Sequence, residues 1–273
     1  MGKSLKVLIA LTLTTMLTGC GVKFGIESRE NSWFNMANKE NDEIWSSKYS
    51  ENVNIIESMN SVTSLDITID VSNVNIKYYD GTELEISGVL SKYSRGIKTE
   101  RKSNSLRIRE ESKKTANINR GKSGELIIKV PKSFNGDLDF KFGVGEYNIK
   151  GLKVDNMQVH TGIGQLTMED ISFSKLALES GVGEVYLNTN QKTGEINVKG
   201  GIGEVNISLG DINGDLTFQG GMGSANIIIP ENAPVNIKTN SGLGPSNISA
   251  KTSGENKYIF KINMGIGELN ITN

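Results

Sequence analysis

Apolar and polar residues alternate along most of the chain, and beyond residue 138 paired glycines interrupt the alternation at regular intervals. The first glycine of each Gly–x–Gly falls at 143, 162, 181, 201, 221, 242 and 265. Seven copies at a period of about 20 residues mark a repeat architecture. Apolar residues sit five and three positions before the first glycine, as in Leu138/Phe140, Leu176/Leu178 and Ile196/Val198. Others sit four and six positions after it, as in Tyr147/Ile149, Val185/Leu187 and Val205/Ile207. In the sixth copy the leading pair shifts by two, to Val235/Ile237. Strict alternation on each side of the glycines reads as β-strand with one buried face.

Parity assigns the glycines a role. Val198 and Val205 are seven apart, so a straight strand would point them to opposite faces. Both face inward only if the backbone turns between them. Gly143, Gly145, Gly162, Gly164, Gly181, Gly183, Gly201, Gly203, Gly221, Gly223, Gly242, Gly244, Gly265 and Gly267 are therefore expected to be structural corners. One repeat becomes strand, corner, strand and a variable connection such as NTNQKTG or SLGDING. Stacking such units predicts an all-β fold, a single-stranded β-solenoid (β-helix) with rungs of about 20 residues. Seven rungs about 4.8 Å apart would span about 30 Å. The period alone leaves a sandwich or an up-and-down barrel open.

Residues 62–140 read as irregular N-terminal rungs ahead of the seven regular ones in 138–273. In LDITIDVSNVNI, Leu65, Ile67 and Ile69 alternate, Ser72-Asn73 takes the corner, and Val74 and Ile76 follow. ELEISGV, SLRIREE and GELIIKVP add strands, whereas SKYSRGIKTERKSNS and the Arg-Gly-Lys near 120 read as charged loops. Terminal repeats are expected to be atypical, because they cap a stack. The strand GIGELNIT ends at Ile271-Thr272 with no cap after it. An unpaired edge there predicts either end-to-end self-association or cover from an earlier segment.

The chain opens MGKSLKVLIALTLTTMLTGC. Lys3 and Lys6 precede a short apolar stretch, Val7 to Leu17, too short to span a bilayer and of the form of a secretory signal. Leu17-Thr18-Gly19-Cys20 resembles the lipobox of bacterial lipoproteins. That resemblance implies removal of residues 1–19, lipidation of Cys20 and an extracytoplasmic, membrane-anchored protein. Residues 20–61 are expected to be the lipidated Cys and a polar tether, rich in Asn, Glu and Ser; Trp33, Phe34 and Trp45 are the places where it could instead pack on the domain.

Charge is nearly balanced, with 30 Lys+Arg against 31 Asp+Glu in 273 residues. Such a balance excludes the electrostatic footprint of nucleic-acid binding. One Cys permits no internal disulfide, and one Cys with one His excludes a zinc site of the usual kind within one chain. No metal and no cofactor are expected.

The opening LDITIDVSNVNIKYYDG and the units SGVGEVYLNT and GGIGEVNIS resemble the bacterial putative-adhesin family, a domain of unknown function found on lipoproteins and envelope-stress regulators. The resemblance runs from about Val62 to Asn273. It implies an extracytoplasmic β-helix with surface or interaction roles, and no known reaction.

Other chemistries fit poorly. A phosphate loop needs a helix after its glycines, but here a strand such as EVNI follows, with no Lys-Ser/Thr pair. The nonapeptide calcium turn needs Asp at its sixth position, where Val205 and Ala225 stand, and its period is shorter. Parity places Glu146, Glu184, Glu204 and Glu268, with Asn206, Asn226, Asn247 and Asn270, on the outer face as polar ladders. Glu184 and Glu204 form the neighbouring acid pair. A solvated face is the plain reading of these rows; a flat surface for glycan or cation is the functional one. His160, the sole imidazole, faces outward by the same parity. The expected function is therefore a non-catalytic, adhesin-like or structural module of the cell envelope, meeting wall polymer, glycan or an envelope protein. A carbohydrate-active β-helix enzyme and an envelope-stress sensor are the alternatives.

Overall fold

The computed structural model describes residues 51–113 and 124–273. Cys20, the expected leader, Trp33, Phe34, Trp45 and the Arg-Gly-Lys stretch at 120–122 lie outside the described residues. The described chain is all-β and β-solenoid-like, built as one open sixteen-stranded sheet.

The regular part consists of β8 (Asp137–Lys150), β9 (Lys153–Glu169), β10 (Ser172–Lys199), β11 (Ile202–Ile212), β12 (Leu216–Gln219), β13 (Met222–Ile228), β14 (Val235–Leu243), β15 (Ser246–Ile248) and β16 (Tyr258–Thr272). These strands pair in parallel, and the glycine pairs stack on one another, Gly164 on Gly145, Gly183 on Gly164 and Gly203 on Gly183. In each layer the flanking apolar residues turn inward. Phe140, Val159, Leu178, Val198, Phe218 and Ile262 are at most 1% exposed, as are Tyr147, Leu166, Val185, Ala225 and Leu269 beyond the corner. Each fully buried aliphatic side chain contributes roughly 1.5–3 kcal/mol, so the repeated inward pairs supply most of the driving force.

The layers do not follow chain order at either end. β16 lies between β12–β13 on one side and β14–β15 on the other, so the 265 corner stacks on the 221 corner and the 242 corner is outermost. The C-terminal strand is not an edge; an earlier segment covers it. The outermost layer is fitted for that position. Gly244 and Pro245 divide it into β14 and β15, and Pro245 has no N–H to offer a further strand. Thr239 and Ser246 stand there, both exposed, where inner layers carry buried apolar side chains.

At the other end, β2 (Ser64–Ile69) and β3 (Ser72–Tyr79) form the layer that stacks on β8, and β6 (Ser105–Ser112) with β7 (Gly124–Pro131) stacks outside it, all in parallel. Antiparallel strands close this end: β4 (Glu83–Val89) pairs with β7, β5 (Ser94–Lys102) with β6, and β1 (Asn52–Ser58) with β4.

Two expectations change here. The charged stretch read as loop is strand β5, a hairpin partner of β6. Its charges meet cross-strand partners, with Glu100 3.6 Å from Arg107 and Lys98 3.9 Å from Glu111. Charged side chains are the usual way to keep an edge strand from recruiting another chain. The fold also begins earlier than residue 62. Val53 and Ile55 in β1 pack against the core, placing residues 52–58 in the sheet rather than in the tether.

Candidate interaction surface

The corners give the molecule its most regular surface. From Gly164 onward the second glycine of every pair has φ between +136° and +139°, a backbone region that side chains disfavour. At Gly203 a Cβ would lie 1.8 Å from the Gly183 carbonyl oxygen of the layer below. Both the dihedral and the stacking distance therefore require glycine there.

The residue between the two glycines points out from the bend. Ile163, Val182, Ile202, Met222, Ile266 and Leu243 pair in register and are 46% to 72% exposed. They form one column of aliphatic side chains down the corner, with columns of bare backbone on both sides. Gly200 and Gly220 widen the bare strip at two layers, where a shallow depression is lined by Ser180, Phe218, Met222 and Met264.

Beside this column run the polar rows. Glu146, Gln165, Glu184, Glu204, Ser224 and Glu268 succeed one another in register. Gln165 Nε2 donates to Glu184 Oε2 at 3.1 Å, and the Tyr186 hydroxyl donates to the same oxygen at 3.0 Å. That bond holds the Tyr186 phenol above its ordinary pKa. Glu184 and Glu204 are direct neighbours, whereas Ser224 separates Glu204 from Glu268. Two positions further on, Asn226 Nδ2 donates to Asn206 Oδ1 at 2.9 Å, and Asn270 Nδ2 donates to Asn226 Oδ1 at 3.0 Å. Asn247 stands in register with Asn270 on the outermost layer and is exposed.

On the opposite flank, Glu179 sits between Lys199 and His160. Lys199 Nζ lies 2.7 Å from its Oε1 and His160 Nδ1 lies 3.2 Å from its Oε2. The Lys199 hydrogen bond, more than any other contact, holds the Glu179 carboxyl below its usual range. His160 is thus one polar partner of a surface carboxylate. Among the described residues no group of three or more His, Cys, Asp or Glu side chains is arranged to hold a metal ion.

The N-terminal corner is built differently, and its key residue escaped the sequence reading. Glu110, 1% exposed, accepts hydrogen bonds from the backbone N–H groups of Val71 and Ser72, each at 3.1 Å, and from the Ser72 hydroxyl. Burial pushes its carboxyl above the ordinary range, against the pull of these bonds. Asp70, also raised by burial, accepts from the Ser112 N–H at 2.9 Å. Tyr147 stacks on Phe142 with ring centroids 4.2 Å apart, and burial, with the nearby Glu110 and Asp70, raises its phenol.

Residues 62–263 match the Toastrack DUF4097 family, and the chain belongs to that family. No curated protein matches the chain. Among solved structures, it is similar to a putative cell adhesion protein from Clostridium sporogenes, at 17% identity and a TM-score of 0.39, covering 81% of this chain and 99% of that one. It is also similar to a putative adhesin from Bacteroides fragilis, at 18% identity and a TM-score of 0.45, covering 81% and 97% respectively.

Proposed function

We propose that the protein is a lipid-anchored, non-catalytic interaction module of the bacterial cell envelope, with adhesin-like or structural work. In this reading Cys20 carries the lipid, the polar segment after it is a tether, and the described fold is a β-solenoid that presents its outer rows to a partner. The in-register rows carry the reading. The same side-chain type recurs at one strand spacing along the corner, which suits contact with an extended partner of wall polymer, glycan or protein. Glycosidase chemistry asks for two carboxyl groups in distinct environments across a cleft, and the Glu row supplies like environments on an open face. Family membership supports the surface role.

Two measurements test it. Cys20→Ala is expected to release the chain from the membrane fraction into the medium; a variant still retained would overturn the anchor. Binding of the unanchored chain to isolated envelope material is expected to weaken at least tenfold in Glu184→Lys/Glu204→Lys, with unchanged thermal unfolding. Undiminished binding would remove the Glu row from the surface that matters.

A further inference from the structure

The exposed aliphatic column is the least explained feature of the fold. A half-exposed Ile or Val contributes little to the stack, and a polar β-branched residue would serve the bend equally well. Yet all seven middle positions of the Gly–x–Gly units are aliphatic, from Val144 to Ile266 and Leu243. Over six steps of about 4.8 Å the column runs about 29 Å. It carries no aromatic ring, so stacking on sugars does not account for it. Because each side chain projects from the outside of a bend, two such columns would touch along a line only. A second copy would therefore cover little area against what a stable dimer needs. A bilayer surface is fluid and accepts a convex row without a preformed groove.

The entry point of the described chain favours the same partner. Asn52 stands level with Val89, Val89 with Glu125 and Glu125 with Asn73, whose side chain accepts from the Glu146 N–H at 2.9 Å. The chain thus joins the stack at the head of the corner, beside the aliphatic column. Residues 21–50 can reach at most about 100 Å fully extended, enough to let the whole column come down on the surface that holds Cys20. An anchor also raises the effective concentration of any weak contact beside it.

We propose that this column is a bilayer-docking edge, along which the stack lies down on a lipid surface with Ile163, Val182, Ile202, Met222 and Ile266 in the interfacial acyl region. The proposal rests on the membrane location put forward above. The neighbouring Glu146, Glu184, Glu204 and Glu268 then meet head groups, so neutral lipid is preferred to anionic lipid.

The test uses the full chain, expressed with residues 1–19 and taken into phosphatidylcholine vesicles, spin-labelled at Ile202→Cys or, as a control away from the corner, at Lys192→Cys. The label at 202 is expected to be at least tenfold more accessible to oxygen, relative to a soluble nickel complex, than the label at 192. Equal, water-like accessibility at both sites would overturn the proposal. So would strong coupling between 202 labels of two molecules, which would make the column a contact between copies. Adding Ile163→Thr, Val182→Thr and Met222→Thr keeps β-branching or strand preference on exposed positions and is expected to return the 202 label to water. Exchange of half the lipid for phosphatidylglycerol is expected to lift the label; deeper immersion would overturn the orientation. The mass of the N-terminal peptide separates the two readings. An unacylated Cys20 with a lipid-facing 202 label defeats the anchor alone, and an acylated Cys20 with a water-facing label defeats the docking edge alone.

Discussion

The corner between Ile69 and Val74 and the corners from Gly164 to Gly267 make the same bend by different means. In the regular layers the bend is made of backbone. A second glycine at φ near +137° lets each layer sit on the carbonyl below, with nothing projecting into the contact. In the β2–β3 layer no glycine pair is present, and Val71-Ser72-Asn73 holds the turn with help from outside. The Glu110 carboxylate, reaching in from β6, takes the Val71 and Ser72 N–H groups that the turn leaves unpaired. Asn73 Oδ1 takes the Glu146 N–H of the next layer. The regular corner is thus stabilised by the absence of side chains and the irregular one by a buried side chain. A glycine corner can be copied indefinitely, because each copy is the template for the next. A carboxylate corner occurs once, because a column of buried acids would repel itself.

The sharpest break of that comparison is Gly203→Ala. Its methyl group meets the Gly183 carbonyl oxygen at 1.8 Å and must also adopt a φ of +137°. Strain and overpacking together are expected to cost about 4 kcal/mol in chemical unfolding. Gly151 is the internal control. Its φ is +71° and a Cβ there meets nothing within 4 Å, so Gly151→Ala is expected to cost only about 1 kcal/mol. Equal costs at the two sites would mean that the stacked carbonyls give way and that the corner column is not rigid.

The carboxylate corner breaks next. Glu110→Ala leaves two backbone N–H groups and a hydroxyl without their partner in the interior, an expected loss of about 3 kcal/mol. Glu110→Gln keeps an acceptor oxygen and is expected to lose about 1 kcal/mol at low pH. The pH dependence has a definite sign. The folded state holds the Glu110 and Asp70 protons more tightly than the unfolded chain does. Their contribution is therefore fully present below the unfolded carboxyl range and is lost as pH rises through the raised folded values. Wild type minus Glu110→Gln, followed by urea unfolding from pH 4 to 8, should shift toward the Gln variant as pH rises. A difference that is flat, or that moves toward wild type, would place the Glu110 proton elsewhere.

The regular half was legible because its signal is redundant. Six spacings, two apolar pairs per copy and the parity break at each glycine all point to one bend. The swapped order of the last layers was not legible. The 242 and 265 units carry the same corner, and the departures that fit the 242 unit for the outside, Thr239, Pro245 and Ser246, say nothing along the chain about which layer lies outermost. Strand β5 was hidden by its charges, since an edge strand that pairs Glu100 with Arg107 looks like loop composition. Glu110 did leave a trace. Leu106, Ile108 and Glu110 share parity, and all three are buried, so the alternation in SLRIREES already pointed the carboxylate inward. A charged letter outweighed a period-two pattern. The candidate surface was legible in part: the polar rows follow from parity, but the middle residue of each glycine pair has neighbours on two faces, and only the bend decides that it points out.

The mildest change sharpens the comparison within the regular half itself. The Asn column is joined by hydrogen bonds at Asn206, Asn226 and Asn270. Asn226 donates to Asn206 and accepts from Asn270, with a further bond from its amide to Glu204 Oε1 at 3.1 Å. Asn148, in the same column, stands in register with Asn75 and Thr167 and is exposed. Asn226→Ala is expected to cost about 1 kcal/mol, because Asn270 then loses its acceptor in a half-buried site. Asn148→Ala, on the solvated side, is expected to stay within about 0.5 kcal/mol of wild type. Paired unfolding curves of the two variants decide whether the column stabilises the stack. If they coincide, the Asn rows are solvation alone, and the outer face owes its order wholly to the backbone beneath it.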